Sequence, residues 1–362
     1  MKNLFTRRRF VTTAAKGGVA VAGLTMAAPF IRTAWAKEPL TVVEWGTPYV
    51  ESSKALTAKQ DKVDITWALH EGGSAAILPK IKASWPNPPY DLIAAWKPVW
   101  LTMIREGWIE PVTLEHVPNM KDIPKNLVTT DENGVWYDIP RSLSGVFWAY
   151  RTDTCPIEIK NIEDLLDPKL VGQISWPHPI ANTNLQVASL AMARGGDEHN
   201  MEPGWKFLQE IAKSGNIGRV HATTADQINA LTAGEVSIIF TDLPSVGVAA
   251  KNVPIKYLTK THESLKMYPW VESWGVLKSS KNKKAAFDYA NFSISPENNE
   301  AFNAGIGAGA TNVNVKASGA LSSVSFTEEE LAKFTHFADY DQLSKDLDAS
   351  TKRFETEIVP LL

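Results

Sequence analysis

The stretch VDITWALHEGGSAAILPKIKASWPNPPYDLIAAW, residues 63–96, reads in succession as strand, loop, helix and strand. Val63 to Trp67 carries the β-branched and aromatic residues of a half-buried strand. Gly72, Gly73 and Ser74 punctuate the chain, and from Ala75 the apolar positions Ala76, Ile77 and Ile81 follow helical spacing. Pro79 is tolerable only near the helix start, where its missing N–H would be unbonded anyway. Tyr90 to Trp96 is an apolar run with one acid near its start, the pattern of a strand buried on both faces. Alternation of this kind predicts an α/β unit with parallel strand pairing.

The alternation extends in both directions. Upstream, Leu40 to Val43 is a β-branched run broken at Gly46. Downstream, strand candidates lie at Trp136–Ile139 and Gly145–Tyr150, and residues 161–176 give a short helix, a turn and a strand. In residues 223–242, Thr224 stands three positions before Gln227, a capping-box spacing. That helix should stop at Gly234, ahead of a strand from Val236 to Phe240. Residues 273–295 repeat the pattern as strand, basic turn and amphipathic helix. No period of 20 to 50 residues recurs, so a solenoid is excluded. The whole reads as α/β with largely parallel sheets and enough chain for two domains.

The first 36 residues have a different character. Lys2, Arg7, Arg8, Arg9 and Lys16 precede the uncharged run GGVAVAGLTMAAPFI, residues 17–31, which is shorter than a membrane span. Ala34-Trp35-Ala36 supplies a small-x-small exit, so residues 1–36 read as an export signal peptide cleaved near Ala36. Arg7-Arg8, between Thr6 and Phe10, resembles the twin-arginine leader, whose translocase carries folded proteins. The expected location is periplasmic. Six of the 37 positive residues fall in this leader, leaving 31 against 40 acids. A mildly acidic remainder is not built to hold nucleic acid or anionic lipid through bulk charge. Cys155 is alone, which excludes an intrachain disulfide and leaves core burial to hold the fold.

Several segments, in order, resemble the extracellular solute-binding proteins of ABC importers, in the branch of spermidine/putrescine and iron(III) binders. They are EWGTPYV (44–50), GGSAAILPKIKAS (72–84), NPPYDLIAAW (87–96), IREGWIEPV (104–112), GVFWAYRTD (145–153), LTAGEVSII (231–239) and the run 278–302. Tyr150-Arg151 departs from the Tyr-Asn that ends the family's corresponding strand. The resemblance implies a two-lobe periplasmic binding protein (type II), its lobes joined by two crossover strands. It implies lobe 1 at 37–139 plus 274–325, lobe 2 at 140–273, and a C-terminal helical segment at 326–362, with a helix around Tyr340 to Ile358. The implied partners are a small-molecule ligand, an ABC permease in the inner membrane and, during export, the twin-arginine translocase. A monomer without cofactor or metal is expected.

A cleft of this kind needs aromatic walls and a few orienting polar groups. Trp45 and Tyr49 follow the first strand, Trp96 ends the strand of residues 90–96, and Trp270 and Trp274 flank the second crossing. Strand C-terminal ends are where open α/β sheets bind ligands. Gly73 and Ser74 before one helix, and Asn182 and Thr183 before another, can present backbone N–H groups or merely turn and cap. Asp242 and Glu272 beside aromatic rings suit an ammonium group. Arg141 suits a ligand carboxylate, or pairs with Asp242 or Glu272 as a latch. An amine-bearing, polyamine-like solute is favoured, with a carboxylate-bearing one as the alternative. Ferric iron is disfavoured, because no tyrosine occurs between Pro156 and Val253.

The rival reading is an exported enzyme, and it lacks a site. His70-Glu71 and His262-Glu263 have no second histidine four residues after the first. The GIGAG of residues 305–309 follows a helix rather than a strand, which is the wrong context for a dinucleotide. No catalytic residues are expected.

Overall fold

The computed structural model describes residues 37–71 and 74–362; the expected signal peptide and Gly73 lie outside the described residues. Nine strands form one sheet: β1 (Glu38–Glu44), β2 (Val63–Leu69), β3 (Leu92–Trp96), β4 (Ile139–Arg151), β5 (Ile174–Pro177), β6 (Ile217–His221), β7 (Ile238–Asp242), β8 (Ile255–Tyr257) and β9 (Tyr268–Val276). Their order is β2-β1-β3-β9-β4-β7-β5-β6, with β8 paired to β4. At one end β1 pairs in parallel with β2 and β3, and at the other β5 pairs in parallel with β6 and β7. The expected parallel pairing thus holds in each half. The centre differs: β9 runs antiparallel to both β3 and β4, and β4 antiparallel to β7. A chain that crosses from one half to the other and returns must do so in opposite directions.

The opening stretch folds as strand, helix and strand. Pro79 is the third residue of the helix Ile77–Ser84, within the first turn where it removes no internal hydrogen bond. The first four residues of β3 alternate between two cores: Leu92 and Ala94 belong to one, Ile93 and Ala95 to another. β4 does the same, with Leu143, Phe147 and Ala149 on the first core and Val146, Trp148 and Tyr150 on a third. One face of the sheet therefore carries a core shared by both halves, while the other face carries two separate cores.

Three details depart from expectation. Of the candidate Trp136–Ile139 only Ile139 is in a strand; it begins the thirteen-residue β4, which takes in Gly145–Tyr150, is buried throughout, and shifts its register against β9 between Pro140 and Ser142. Gly145 permits the closest approach of that pair, since a Cβ there would lie 2.4 Å from the Tyr268 carbonyl oxygen. The helix Thr224–Ala233 is capped by Thr223, whose hydroxyl accepts from the Asp226 N–H, one residue earlier than the Thr224–Gln227 spacing suggests. Gly234 ends it as expected, at φ 81°, a left-handed geometry that glycine adopts without strain.

The expected single C-terminal helix is broken into Tyr340–Lys345, Leu347–Arg353 and a wider turn at Phe354–Ile358. This segment links two cores. Phe326 and Leu331 pack with the shared core, whereas Leu343, Phe354 and Ile358 pack with the core around β5. Between them, the His336 N–H donates to the Met267 carbonyl oxygen, just ahead of β9. The chain thus passes between the two halves a third time, near residues 335–340.

Candidate functional site: an aromatic pocket backed by a buried ion trio

A cavity of about 770 Å³ opens where the shared core and the two separate cores meet. Leu127, Val128 and Val271 reach it from the shared core. Lys97, Pro98 and Leu101 come from the helix Lys97–Arg105, and Trp270 and Tyr340 from the side packed against the β5 core. Its wall is a relay of aromatic rings. Trp45 meets Trp96 edge-on at 5.7 Å, Trp96 meets Trp270 at 5.6 Å, and His70 lies against Trp45 at 4.3 Å. These separations are typical of favourable aromatic pairs. His70 bonds the Ala94 carbonyl oxygen at 2.6 Å, and burial lowers its pKa, so the imidazole in the relay is neutral near pH 7.

Local sequence explains the ring positions. Trp45 follows the last residue of β1, and Trp96 is both the end of β3 and the cap of the next helix, whose second residue is Pro98. Both therefore stand at the C-terminal strand ends, part-exposed, while the preceding residues of each strand are buried.

The charged part of the lining is mostly acidic. Asp138, Asp339 and Asp341 line the cavity together with one cation, Lys97. Asp138 is 1% exposed and accepts from the Thr129 N–H at 2.6 Å and the Thr129 hydroxyl at 3.1 Å. Burial pushes its pKa up to about 6 against those bonds. Asp339 caps the helix Tyr340–Lys345 and lies 3.5 Å from His199. Two buried donors of the lining, the Trp270 indole N–H and the Tyr340 hydroxyl, have no partner among the described residues.

Behind Trp45 lies an ion trio. Arg141 binds Glu272 through Nε at 2.6 Å and Nη2 at 2.7 Å, and Glu44 through Nη1 at 2.8 Å and Nη2 at 2.7 Å. Its remaining donor reaches the Ser53 hydroxyl oxygen at 3.3 Å, so all five guanidinium N–H groups are used. The guanidinium also lies 3.7 Å from the Trp274 ring centre and 4.4 Å from that of Phe302. Arg141, Glu272 and Glu44 are each at most 1% exposed. Burial pushes the Glu272 carboxyl up against the attraction of Arg141, and the neighbouring Glu44 charge adds to the rise. Trp45 ties this trio to the wall: its indole N–H donates to Glu272 at 3.2 Å and its backbone N–H to Glu44 at 2.8 Å.

The profile of the bacterial extracellular solute-binding protein family matches residues 52–345. The chain belongs to that family. Among solved structures, an extracellular solute-binding protein from Bordetella parapertussis is similar at TM-score 0.70 and 20% identity, covering 89% of this chain and 99% of its own. The spermidine/putrescine ABC transporter substrate-binding protein PotD from Streptococcus pneumoniae gives 0.66 at 15% identity, with 87% and 100% covered. A Bordetella ferric binding protein gives 0.65 at 15% identity, with 88% and 99% covered. No curated protein sequence matches the chain. The fold is the two-lobe periplasmic binding protein type, in which β4 and β9 are the crossover strands.

In this solute-binding protein, three of the residues singled out by sequence meet at the cavity: Trp45, Trp96 and Trp270. Tyr49 sits one shell away, its ring 6.5 Å from Trp45, and burial raises its pKa. Arg141, Glu272 and Trp274 are not on the cavity surface. The first two are consumed in the trio, and Trp274 is fully buried with its N–H on the Ser293 hydroxyl. Of the partners weighed for Arg141, it bonds Glu272 and not Asp242, and Glu44 is a further partner that the sequence reading did not name. Asp242 instead caps the helix Leu243–Ala249, accepting from the Ser245 N–H and hydroxyl. Asn182 and Thr183 precede the helix Leu185–Ala193, away from the cavity lining, and Ser74 opens the short 3-10 turn Ser74–Ala76. Glu44, Asp138, Asp339, Tyr340 and Asp341 were not anticipated. The aromatic and acidic run FADYD, residues 337–341, was the available signal for the last three.

Proposed function

We propose that this protein is the periplasmic substrate-binding component of an ABC importer that captures an amine-bearing, polyamine-like solute and delivers it to a membrane permease. The observation that carries this is the relay of Trp45, Trp96 and Trp270 facing Asp138, Asp339 and Asp341 with only Lys97 opposed. Aromatic faces and carboxylates together recompense an ammonium group for lost water, by about 1–2 kcal/mol per desolvated ring contact. Lobe 1 at 37–139 plus 274–325 and lobe 2 at 140–273 then close on the solute by bending β4 and β9. In this reading the segment 326–362 belongs to both, its first part with lobe 1 and its last helices with lobe 2. The leader of residues 1–36 sends the folded chain through the twin-arginine translocase, and the mature monomer begins after Ala36.

A second reading is favoured by the unpartnered Trp270 N–H and Tyr340 hydroxyl. These donors are buried beside the cavity, and a solute oxygen from a carboxylate or hydroxyl would satisfy them where it opens the lining toward them. Arg141 does not serve that oxygen, because its donors are taken.

The test is a thermal-shift screen of residues 37–362 with polyamines, amino acids and betaines, aromatic carboxylates, short dicarboxylates and ferric citrate. A solute at one hundred times its dissociation constant adds about 2.7 kcal/mol of stability, a shift of several degrees. Shifts with amines that disappear in Trp96→Ala support the reading. Shifts with carboxylates alone would overturn it.

A further inference from the structure

The wall of the pocket and the charge behind it are separate sets of residues, and Trp45 belongs to both. Its ring lies in the aromatic relay, while its two N–H groups rest on Glu272 and Glu44. At formal charges the trio of Glu44, Arg141 and Glu272 carries two negatives and one positive. The other side chains bonded to its charged atoms, Ser53 and Trp45, are neutral. One negative charge is left over directly behind the wall, buried away from water and salt, once the pH is high enough that Glu272, whose carboxyl burial raises, has lost its proton.

Resting on the reading of the cavity as an ammonium site, we propose that Glu272 and Glu44 set its preference for cations from behind the tryptophan wall, acting through the Trp45 indole and without touching the solute. They are positioning residues in this scheme. A carboxylate accepting an indole N–H draws that proton and leaves the ring face richer in electrons, which strengthens its attraction for a cation. The excess charge adds a direct field through a low-dielectric layer where water and ions do not screen it. A purely structural trio would instead hold β1, β4 and β9 together and treat all solutes alike.

The field can be read without knowing the solute, by collisional quenching of Trp96, the ring next to Trp45. Its emission is isolated as the difference between each protein and the same protein carrying Trp96→Phe. Caesium, iodide and acrylamide serve as cationic, anionic and neutral quenchers. In alkaline buffer, where both carboxylates are ionised, the caesium-to-iodide quenching ratio of the unmodified chain should exceed that of free N-acetyltryptophanamide in the same buffer. In Glu272→Gln the caesium-to-iodide ratio should fall by about threefold or more, with acrylamide quenching unchanged, as expected for loss of a nearby unit charge. Glu44→Gln removes the same charge from another strand and should act alike, which covers the case that one variant fails to fold. A ratio that stays constant in a folded variant, or acrylamide quenching that changes in step with it, overturns the proposal. Putrescine titrated into the same proteins separates this inference from the functional one. If the ratio responds and putrescine and its longer analogues all fail to bind the unmodified chain, the field stands and the amine reading falls. If putrescine binds equally well to all three proteins, the cation preference does not come from the trio.

Discussion

Trp96 and Trp176 occupy the same kind of place, the C-terminal end of a parallel strand, in opposite halves of the sheet. Their environments are opposite. Trp96 is part-exposed, caps a helix and faces the cavity, whereas Trp176 is fully buried against Trp148, 5.9 Å away. Other strand ends divide the same way. In the β5 half, Asp242 is spent on capping and His221 is buried against the Ser175 hydroxyl at 2.9 Å, its pKa pushed down to about 4 by burial. In the β1–β3 half, Trp45 and Trp96 stay available. The two halves share a topology, and one of them supplies most of the cavity lining. A core tryptophan and a wall tryptophan differ in the residues that come next: Trp176 leads into Pro177 and a short 3-10 turn at Pro179–Ala181, while Trp96 starts a helix.

The strongest challenge to this division is Arg141→Met. Removing the guanidinium leaves two carboxylates buried without a partner, and should cost about 3–5 kcal/mol in urea unfolding. The loss should shrink in acid, where the carboxylates take up protons. A small loss at pH 7 would mean that the trio is not the frame of the first half. Trp176→Ala should be of similar size, about 3–5 kcal/mol for a deleted core tryptophan, while amine affinity per folded molecule is unchanged. If solute binding vanished with stability intact, the two halves would contribute alike and the contrast would fail.

Asp138 offers a pH test of the cavity floor. Its pKa is raised in the folded state, so it stabilises the fold only when protonated, and that contribution is lost as pH rises through about 6. Asp138→Asn should therefore be more stable than the unmodified chain at pH 7, by up to about 3 kcal/mol, with the advantage gone below about pH 4. Equal stability profiles from about pH 4 to pH 8 would show that the carboxylate is solvated. Trp96→Ala should lose about tenfold in amine affinity with little change in unfolding midpoint, the reverse of Trp176→Ala. The smallest effect belongs to Asp242→Ala: about 1 kcal/mol from a lost helix cap, and no change in solute binding. A large binding defect there would return Asp242 to the site.

The architecture was legible in the sequence because period-2 and helical patterns report burial directly. The run 90–96 reads as a strand and holds β3, whereas only the second half of β4, from Gly145, reads as one, because Pro140 and the polar residues after it break the apolar pattern. The site was legible in part. Aromatic residues near strand ends or the second crossing could be picked by position, and Trp45, Trp96 and Trp270 do line the cavity. Charged residues could not be sorted the same way, because a carboxylate that meets a solute and one that meets an arginine look identical in sequence. Glu272 and Arg141 lie 131 positions apart, and Glu44 and Arg141 lie 97 apart. Only tertiary folding brings them together as a bonded set. The C-terminal wall was missed for a related reason: a helix pattern from Tyr340 onward does not reveal that residues 337–341 return to the cavity.

An arginine with every N–H engaged has no valence left to offer a passing molecule, and this separates what can drift from what must stay. Replacing Trp96, Tyr340 or Asp341 alters the cavity lining while the trio goes on fastening three strands. Replacing Arg141 endangers the chain before any question of specificity arises. Mutation can therefore explore new cargoes on the wall at small risk to the frame. A laboratory library confined to the cavity lining should yield many folded proteins of altered preference, and one centred on the trio should yield few folded proteins at all.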